Sequence, residues 1–274
     1  MNRFETVFER PAFIAFTVAG DPDYATSLVA AQTIIRSGAD ILELGIPFSD
    51  PVGDGPVIQR ADERALCAGA TTDSAFALIR EIRKESDVPI VLLVYCNTVY
   101  SRGAARFYRK AKEAGVDGIL IVDMPVEEAD LVMEYAKESG IAPIFTVTPT
   151  TPPKRVKRIA DLAGGFLYLV SLSGVTGKRT TLSEAAVPLI HRVREQTEMP
   201  LALGFGIATE THARQAVAAG ADGVIVGSAI VEIIERNAGD AVGMERELSE
   251  YIGGMKAAVG SSGVFPADGD QNSV

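Results

Sequence analysis

Eight short apolar runs recur along this chain with helix-like stretches between them, and their spacing constrains the fold more than any other feature. The runs are FIAFTVAG (13–20), DILELGIP (40–47), PIVLLVYC (89–96), GILIVDMP (118–125), APIFTVTP (142–149), FLYLVSLSG (166–174), PLALGFGI (200–207) and GVIVGSAI (223–230). They lack the alternation of a sheet with one wet face, and so fit parallel strands covered on both sides. Spread over roughly 215 positions, they give one unit per ~30 residues, the length of a strand–helix–strand crossover. That alternation favours a closed (β/α)8 TIM barrel, an α/β fold, over a doubly wound sheet. A chain of 274 residues accommodates such a barrel as a single domain.

Helical periodicity is clear over 25–37, 73–85, 104–114, 127–138, 183–196 and 209–219, with Asp73, Ser183 and Thr209 as candidate N-caps. The joins repeat: SGADILELG, AGVDGILIVD and AGADGVIVGS each carry Gly-[Ala/Val]-Asp just before a strand, at Gly38, Gly115 and Gly220. Glycine there closes the preceding helix in a left-handed cap, and the Asp begins the turn into the strand. The barrel is expected to occupy residues 1–259. The remainder, 260–274, is a small, polar, glycine-rich tail whose expected state is disorder.

Composition excludes several function classes. A formal net charge of −10 argues against nucleic acid, whose phosphates are held by Lys and Arg. No apolar stretch approaches the roughly 18 residues of a membrane span, and the N-terminus lacks a signal-type apolar stretch, so a soluble cytoplasmic protein is expected. Cys67 and Cys96 provide neither a disulfide framework nor a metal-ligand spacing. No His, Cys and carboxylate cluster points to a metal, and none is expected. His191 and His212 both fall inside expected helices, which makes them poor bases or ligands.

In a barrel of this kind the active site lies at the C-terminal ends of the strands. Residues expected there include Glu43, Asp123, Tyr168, Phe205 and Ser228. Glycine-rich segments at 171–177, 204–207 and 226–229 let backbone N–H groups approach an anion. The last two follow strands 7 and 8, where barrels often hold a phosphate, so a small phosphorylated substrate is expected. Glu43 sits in an apolar run, and desolvation of a lone glutamate raises its pKa towards neutral, which suits proton transfer. Asp54, in a Gly53-Asp54-Gly55-Pro56 turn, reads equally as a turn former or a functional group. Asp123 is similarly divided between an Asx turn and a function, and Asp50 reads as a turn residue.

The segments FTVAGDP (16–22), LELGIPFSDPVGDGP (42–56), YCNTVY (95–100), VDMPVEE (122–128), SGVTG (173–177), GFGI (204–207) and VGSAIV (226–231) together resemble the tryptophan synthase alpha-chain family. The resemblance runs in order along nearly the whole chain to the start of the tail. It implies cleavage of indole-3-glycerol phosphate to indole and glyceraldehyde 3-phosphate, a carbon–carbon lyase reaction of tryptophan biosynthesis. It also implies Glu43 as the proton carrier, Asp54 as the group that steadies the indole N–H, and Tyr168 as an auxiliary. The phosphate would rest on Gly177, Phe205, Gly206, Gly227 and Ser228. Phe16, Leu93, Leu120, Phe205 and Ile225 match the apolar walls of the indole pocket, and Thr176 matches a closing loop. No cofactor is implied in this chain. Pyridoxal phosphate is expected on a partner beta chain, in an alpha2-beta2 heterotetramer docked through 50–59, 97–107 and 122–128, with Pro51 and Asn97 as contacts. Val18 and Thr146 depart from the family pattern, which bears on pocket shape more than on reaction type. A sugar-phosphate isomerase and a catalytically weak binding subunit are the rival readings.

Overall fold

The computed structural model describes residues 3–171 and 182–261, and within them eight parallel strands close into a barrel in sequence order. The strands are β1 (Ala12–Val18), β2 (Ile41–Gly45), β3 (Ile90–Val94), β4 (Gly118–Ile121), β5 (Ala142–Val147), β6 (Leu167–Leu169), β7 (Leu201–Leu203) and β8 (Gly223–Val226). Around them run α1 (Tyr24–Arg36), α2 (Pro56–Cys67), α3 (Thr72–Arg83), α4 (Cys96–Tyr100), α5 (Ala104–Ala114), α6 (Asp130–Ser139), α7 (Pro153–Leu162), α8 (Ala186–Arg194), α9 (Glu210–Ala218), α10 (Ser228–Arg236) and α11 (Ala241–Gly260). No helix among the described residues is long and apolar enough to cross a membrane.

Both faces of the strands are buried, which is why they read as unbroken apolar runs. One set of side chains, among them Phe13, Ala15, Leu42, Leu44 and Leu92, packs against the helices in the large outer core. The alternate set, including Ile14, Ile41, Val91, Leu120, Ile144, Tyr168, Ala202 and Ile225, packs together in a separate cluster that fills the barrel. Register fixes this parity: Ile14 pairs with Ile41, and Phe16 with Glu43. Glu43 therefore shares the inward face with Ile41. At the N-terminal end, Phe4 joins the inner cluster and meets Phe166 edge-on at 6.2 Å between ring centroids.

Helix starts differ from the expectation in two places. Asp73 is not the cap of α3. Thr71 caps it, accepting the Ser74 N–H while the Ser74 hydroxyl accepts the Thr71 N–H. This capping box satisfies two donors at once, and it frees Asp73 to pair with Arg102 and Lys110. Ser183 stands before the cap of α8, where its hydroxyl accepts the Ala185 N–H; Ala185 occupies the cap position. Thr209 does cap α9, accepting the His212 N–H. Helices α2 and α7 open on proline, which is preorganised for a first turn but blurs the helical pattern in sequence. Helix α11 carries Gly243, Gly253 and Gly254, whose weak helix propensity hides it, and it runs through Gly260, one residue into the expected tail. Residues 262–274 of that tail lie outside the described residues.

Candidate active site

Glu43 is fully buried on β2, and among the described residues neither of its carboxyl oxygens has a hydrogen-bond partner. Burial pushes this carboxyl up to about 8, and the charge of Asp54 adds to the effect. It is therefore a neutral acid at pH 7, poised to give up a proton. Tyr168 faces the same space from β6. Its hydroxyl is held firmly protonated by burial first, then by Glu43 and Asp54. The ring has room because position 204 is glycine: a Cβ there would lie 2.2 Å from it. Gly45 and Gly227 clear space for the Phe16 ring in the same way. Three strand-end glycines thus make room for aromatic rings, a use the sequence did not reveal.

Asp54 lies in the β2–α2 loop, its N–H donating to the Pro51 carbonyl at 3.0 Å in a tight turn. Burial raises its carboxyl above the usual range, and a hydrogen bond from Tyr95 pulls it partly back. The Tyr95 hydroxyl donates to Asp54 Oδ2 at 2.6 Å and accepts from the Gly53 N–H at 3.0 Å. Phe48 stacks on the Tyr95 ring with centroids 5.0 Å apart. Tyr95 is thus a site residue that sequence reasoning missed. It ends an apolar run, where a tyrosine reads as core, and nothing local ties it to a residue 41 positions away. Asp21 was missed as well. Fully buried after β1, it holds Arg64 of α2 at 2.8 Å and 2.9 Å, and Arg64 also reaches Glu235 of α10 at 2.7 Å.

Of the pocket-wall candidates, Phe16, Leu120 and Ile225 are buried in the barrel and Leu93 is partly buried. Phe205 instead lies at the rim beyond β7, 39% exposed, with its carbonyl accepting from the Ser171 hydroxyl at 3.0 Å. Gly206, beside it, has φ +81, and among the described residues nothing lies within 4 Å of where a Cβ would stand. Gly227 precedes α10, and Ser228 is the first residue of that helix. The phosphate candidates Phe205, Gly206, Gly227 and Ser228 therefore follow β7 and β8 at the C-terminal mouth, and the last two occupy a helix N-terminus that favours an anion. Thr176 and Gly177 lie outside the described residues.

The remaining candidates resolve into structural parts. Asp123 accepts the Cys96 N–H at 2.7 Å and so serves the start of α4. His212 accepts the Ala208 N–H on Nδ1 at 3.4 Å, and His191 sits in the last turn of α8. Val18 packs with Ile58, Ala61 and Val231, an apolar setting that accounts for valine there. Thr146 pairs with Tyr168 across β5 and β6 and borders a side cavity of about 150 Å³ with Ile121, Thr148 and Arg155. Among the described residues no group of three or more His, Cys, Asp or Glu is arranged to hold a metal ion.

Comparison with known proteins matches residues 5–260 to the sequence model of a family described as tryptophan synthase alpha chain. The tryptophan synthase alpha chain of Methanoregula boonei is 56% identical over 261 residues, covering 94% of this chain and 98% of its own length. That of Methanothermobacter thermautotrophicus is 49% identical, covering 91% and 93%. Among solved structures, the tryptophan synthase alpha chain of Legionella pneumophila superposes with a TM-score of 0.87 at 35% identity, covering 97% of this chain and 100% of the other. A chain of the tryptophan synthase a2b2 complex of Pyrococcus furiosus does so with a TM-score of 0.85 at 39% identity, covering 90% and 98%.

Proposed function

The chain belongs to the tryptophan synthase alpha-chain family, and on that premise we propose that Glu43 and Asp54 carry its chemistry. The protein cleaves indole-3-glycerol phosphate to indole and glyceraldehyde 3-phosphate, a carbon–carbon lyase step of tryptophan biosynthesis. It needs no cofactor of its own, pyridoxal phosphate residing on the beta chain of the complex. The observation that carries the assignment of roles is a fully buried Glu43, with no hydrogen-bond partner among the described residues, near an Asp54 held by Tyr95.

Indole C3 leaves poorly until it takes up a proton. Neutral Glu43 delivers one to C3, giving an indolenine whose ring nitrogen carries positive charge. The Asp54 carboxylate accepts the indole N–H and stabilises that charge, an interaction stronger in the transition state than in the ground state. Glu43, now a carboxylate in an apolar setting, is a strong base and removes the proton of the hydroxyl on the carbon attached to C3. The C–O electrons form the aldehyde, the C–C bond breaks, and its electron pair restores the aromatic ring. Glu43 ends protonated, as it began. Tyr168 stands beside the reacting end as a neutral hydroxyl. The substrate phosphate rests at the ends of β7 and β8 on Phe205, Gly206, Gly227 and Ser228, with Gly177 and Thr176 assigned to the loop that closes over it. The indole ring lies against Phe16, Leu93, Leu120 and Ile225.

The partner is the tryptophan synthase beta chain, in an alpha2-beta2 assembly like that of Pyrococcus furiosus. The docking face includes Pro51, Asn97 and the loops around them, where Val52 is 85% exposed and Tyr100 is 41% exposed at the barrel mouth. We assign the protein to the cytoplasm, in keeping with a biosynthetic role of this kind.

Indole release from indole-3-glycerol phosphate tests the assignment. Glu43→Gln and Asp54→Asn are each expected to lower kcat by about 10²-fold or more while leaving the circular dichroism spectrum unchanged. Wild-type turnover in a folded Glu43→Gln protein would overturn the assignment of Glu43 as proton carrier.

A further inference from the structure

Ser171, two residues past the end of β6, is a fully buried hydroxyl that the cleavage chemistry leaves unused. It donates to the Phe205 carbonyl at 3.0 Å. That carbonyl belongs to the peptide unit joining Phe205 to Gly206, in the stretch after β7 assigned to the substrate phosphate. Among the described residues the Ser171 hydroxyl is the carbonyl's only hydrogen-bond partner, and the Gly206 N–H has none. Little else holds this peptide. Phe205 and Gly206 are both exposed, and among the described residues nothing approaches the Gly206 Cα from the side where a Cβ would stand. Gly206 has φ +81. Glycine adopts either sign of φ without strain, so the peptide before it is free to turn over as turn peptides do.

The Phe205–Gly206 peptide is trans, and a planar trans peptide holds its C=O and N–H on opposite sides. In the barrel β7 lies between β6 and β8. Drawing the Phe205 carbonyl towards Ser171, on the β6 side, therefore turns the Gly206 N–H towards the β8 side, where Gly227 and Ser228 open α10. We propose that Ser171 is a positioning residue for phosphate binding: its hydroxyl holds the Phe205–Gly206 peptide in the orientation that offers the Gly206 N–H to the phosphate. This rests on the reading of Gly206, Gly227 and Ser228 as the phosphate seat. A backbone N–H stabilises an anion only when aimed at it. A buried hydroxyl is costly to leave unpaired, so the bond favours this peptide orientation over the flipped one.

The test is steady-state indole release by the full chain with its beta partner, with glycerol 3-phosphate and indole each added as a competing ligand. Ser171→Ala removes the donor. It is expected to raise the KM for indole-3-glycerol phosphate and the inhibition constant of glycerol 3-phosphate about 10-fold. Its kcat is expected to stay within about 3-fold of wild type, because the bond that breaks lies at the other end of the substrate. Indole carries no phosphate and is expected to inhibit both proteins alike. Ser171→Cys fills nearly the same space with a weak donor, and carries the test should Ser171→Ala not fold. It is expected to raise both constants about 3-fold or more. Unchanged constants in folded Ser171→Ala, wild-type constants in Ser171→Cys, or an equal weakening of indole and glycerol 3-phosphate would each overturn the proposal. Ser228→Asp, which sets a negative charge at the phosphate seat, serves as control. If it leaves inhibition by glycerol 3-phosphate intact, the phosphate reading fails; if it weakens inhibition while Ser171→Ala does not, only the role of Ser171 fails.

Discussion

Glu43 shows how far a single residue can be read from its neighbours. Its flanks, Leu42 and Leu44, are apolar, and the strand they form is buried along its whole length, so its desolvation is legible from the local sequence alone. The consequence for stability has a definite sign. The folded carboxyl titrates near 8 and the ordinary value is 4.5, so the folded state keeps a proton that the unfolded chain releases between those limits. Stability from this group is full below about 4.5 and is lost as pH rises through about 8. Glu43→Gln removes the loss. It is expected to gain on wild type between pH 5 and pH 8 by more than about 1 kcal/mol in urea unfolding. Asp62 titrates in the same window and leaves a residual slope in both proteins. In activity, kcat/KM is expected to fall above about pH 8, where Glu43 no longer holds the proton it must give. Asp54 is less legible. Its value as more than a turn former depends on Tyr95, and the pair meets only across the barrel mouth.

At the scale of elements, the repeated Gly-[Ala/Val]-Asp joins are legible as units but not in their mechanism. Gly38, Gly115 and Gly220 have φ of 110, 94 and 96, the left-handed conformation expected of a helix-closing glycine. The aspartates do more than begin a turn. Asp40 accepts the Phe13 N–H at 2.7 Å, Asp117 the Ile90 N–H at 2.8 Å and Asp222 the Leu201 N–H at 2.8 Å, each at the start of the preceding strand. Cations cover all three: Lys256 on Asp40, Arg83 and Arg3 on Asp117, and Arg194 on Asp222. Each join therefore stitches two neighbouring strands at the N-terminal rim. Asp117→Ala strands the Ile90 N–H and takes a carboxylate from Arg83 and Arg3, which keep their other partners, and is expected to cost about 3 kcal/mol in urea unfolding. The kcat of the folded fraction is expected to stay the same, because the rim is remote from the catalytic mouth.

Over the whole molecule, closure divides stability from function. The N-terminal end is sealed by Phe4 and Phe166 and by the rim aspartates, while the C-terminal mouth carries the Glu43 and Asp54 carboxyls, both raised by burial. Phe4 is 6% exposed. Phe4→Ala is expected to lower stability by about 3 kcal/mol, read as a lower urea midpoint, and to leave indole release per folded molecule unchanged. A drop in kcat larger than the loss of folded protein would show the two ends to be coupled.

The sequence by itself determined the barrel, its eight units and the buried glutamate, because strand burial on both faces and a ~30-residue period are local signals that survive without knowledge of contacts. It also determined the family, through the Glu43–Pro56 stretch and the ordered segments after it. Only the tertiary structure decided what Asp54, Tyr95 and Phe48 are to one another. Each looks ordinary locally, as a turn aspartate, a core tyrosine and a loop phenylalanine. Their relation is a set of contacts between the loop after β2 and the residue that follows β3, and barrel closure brings those elements together.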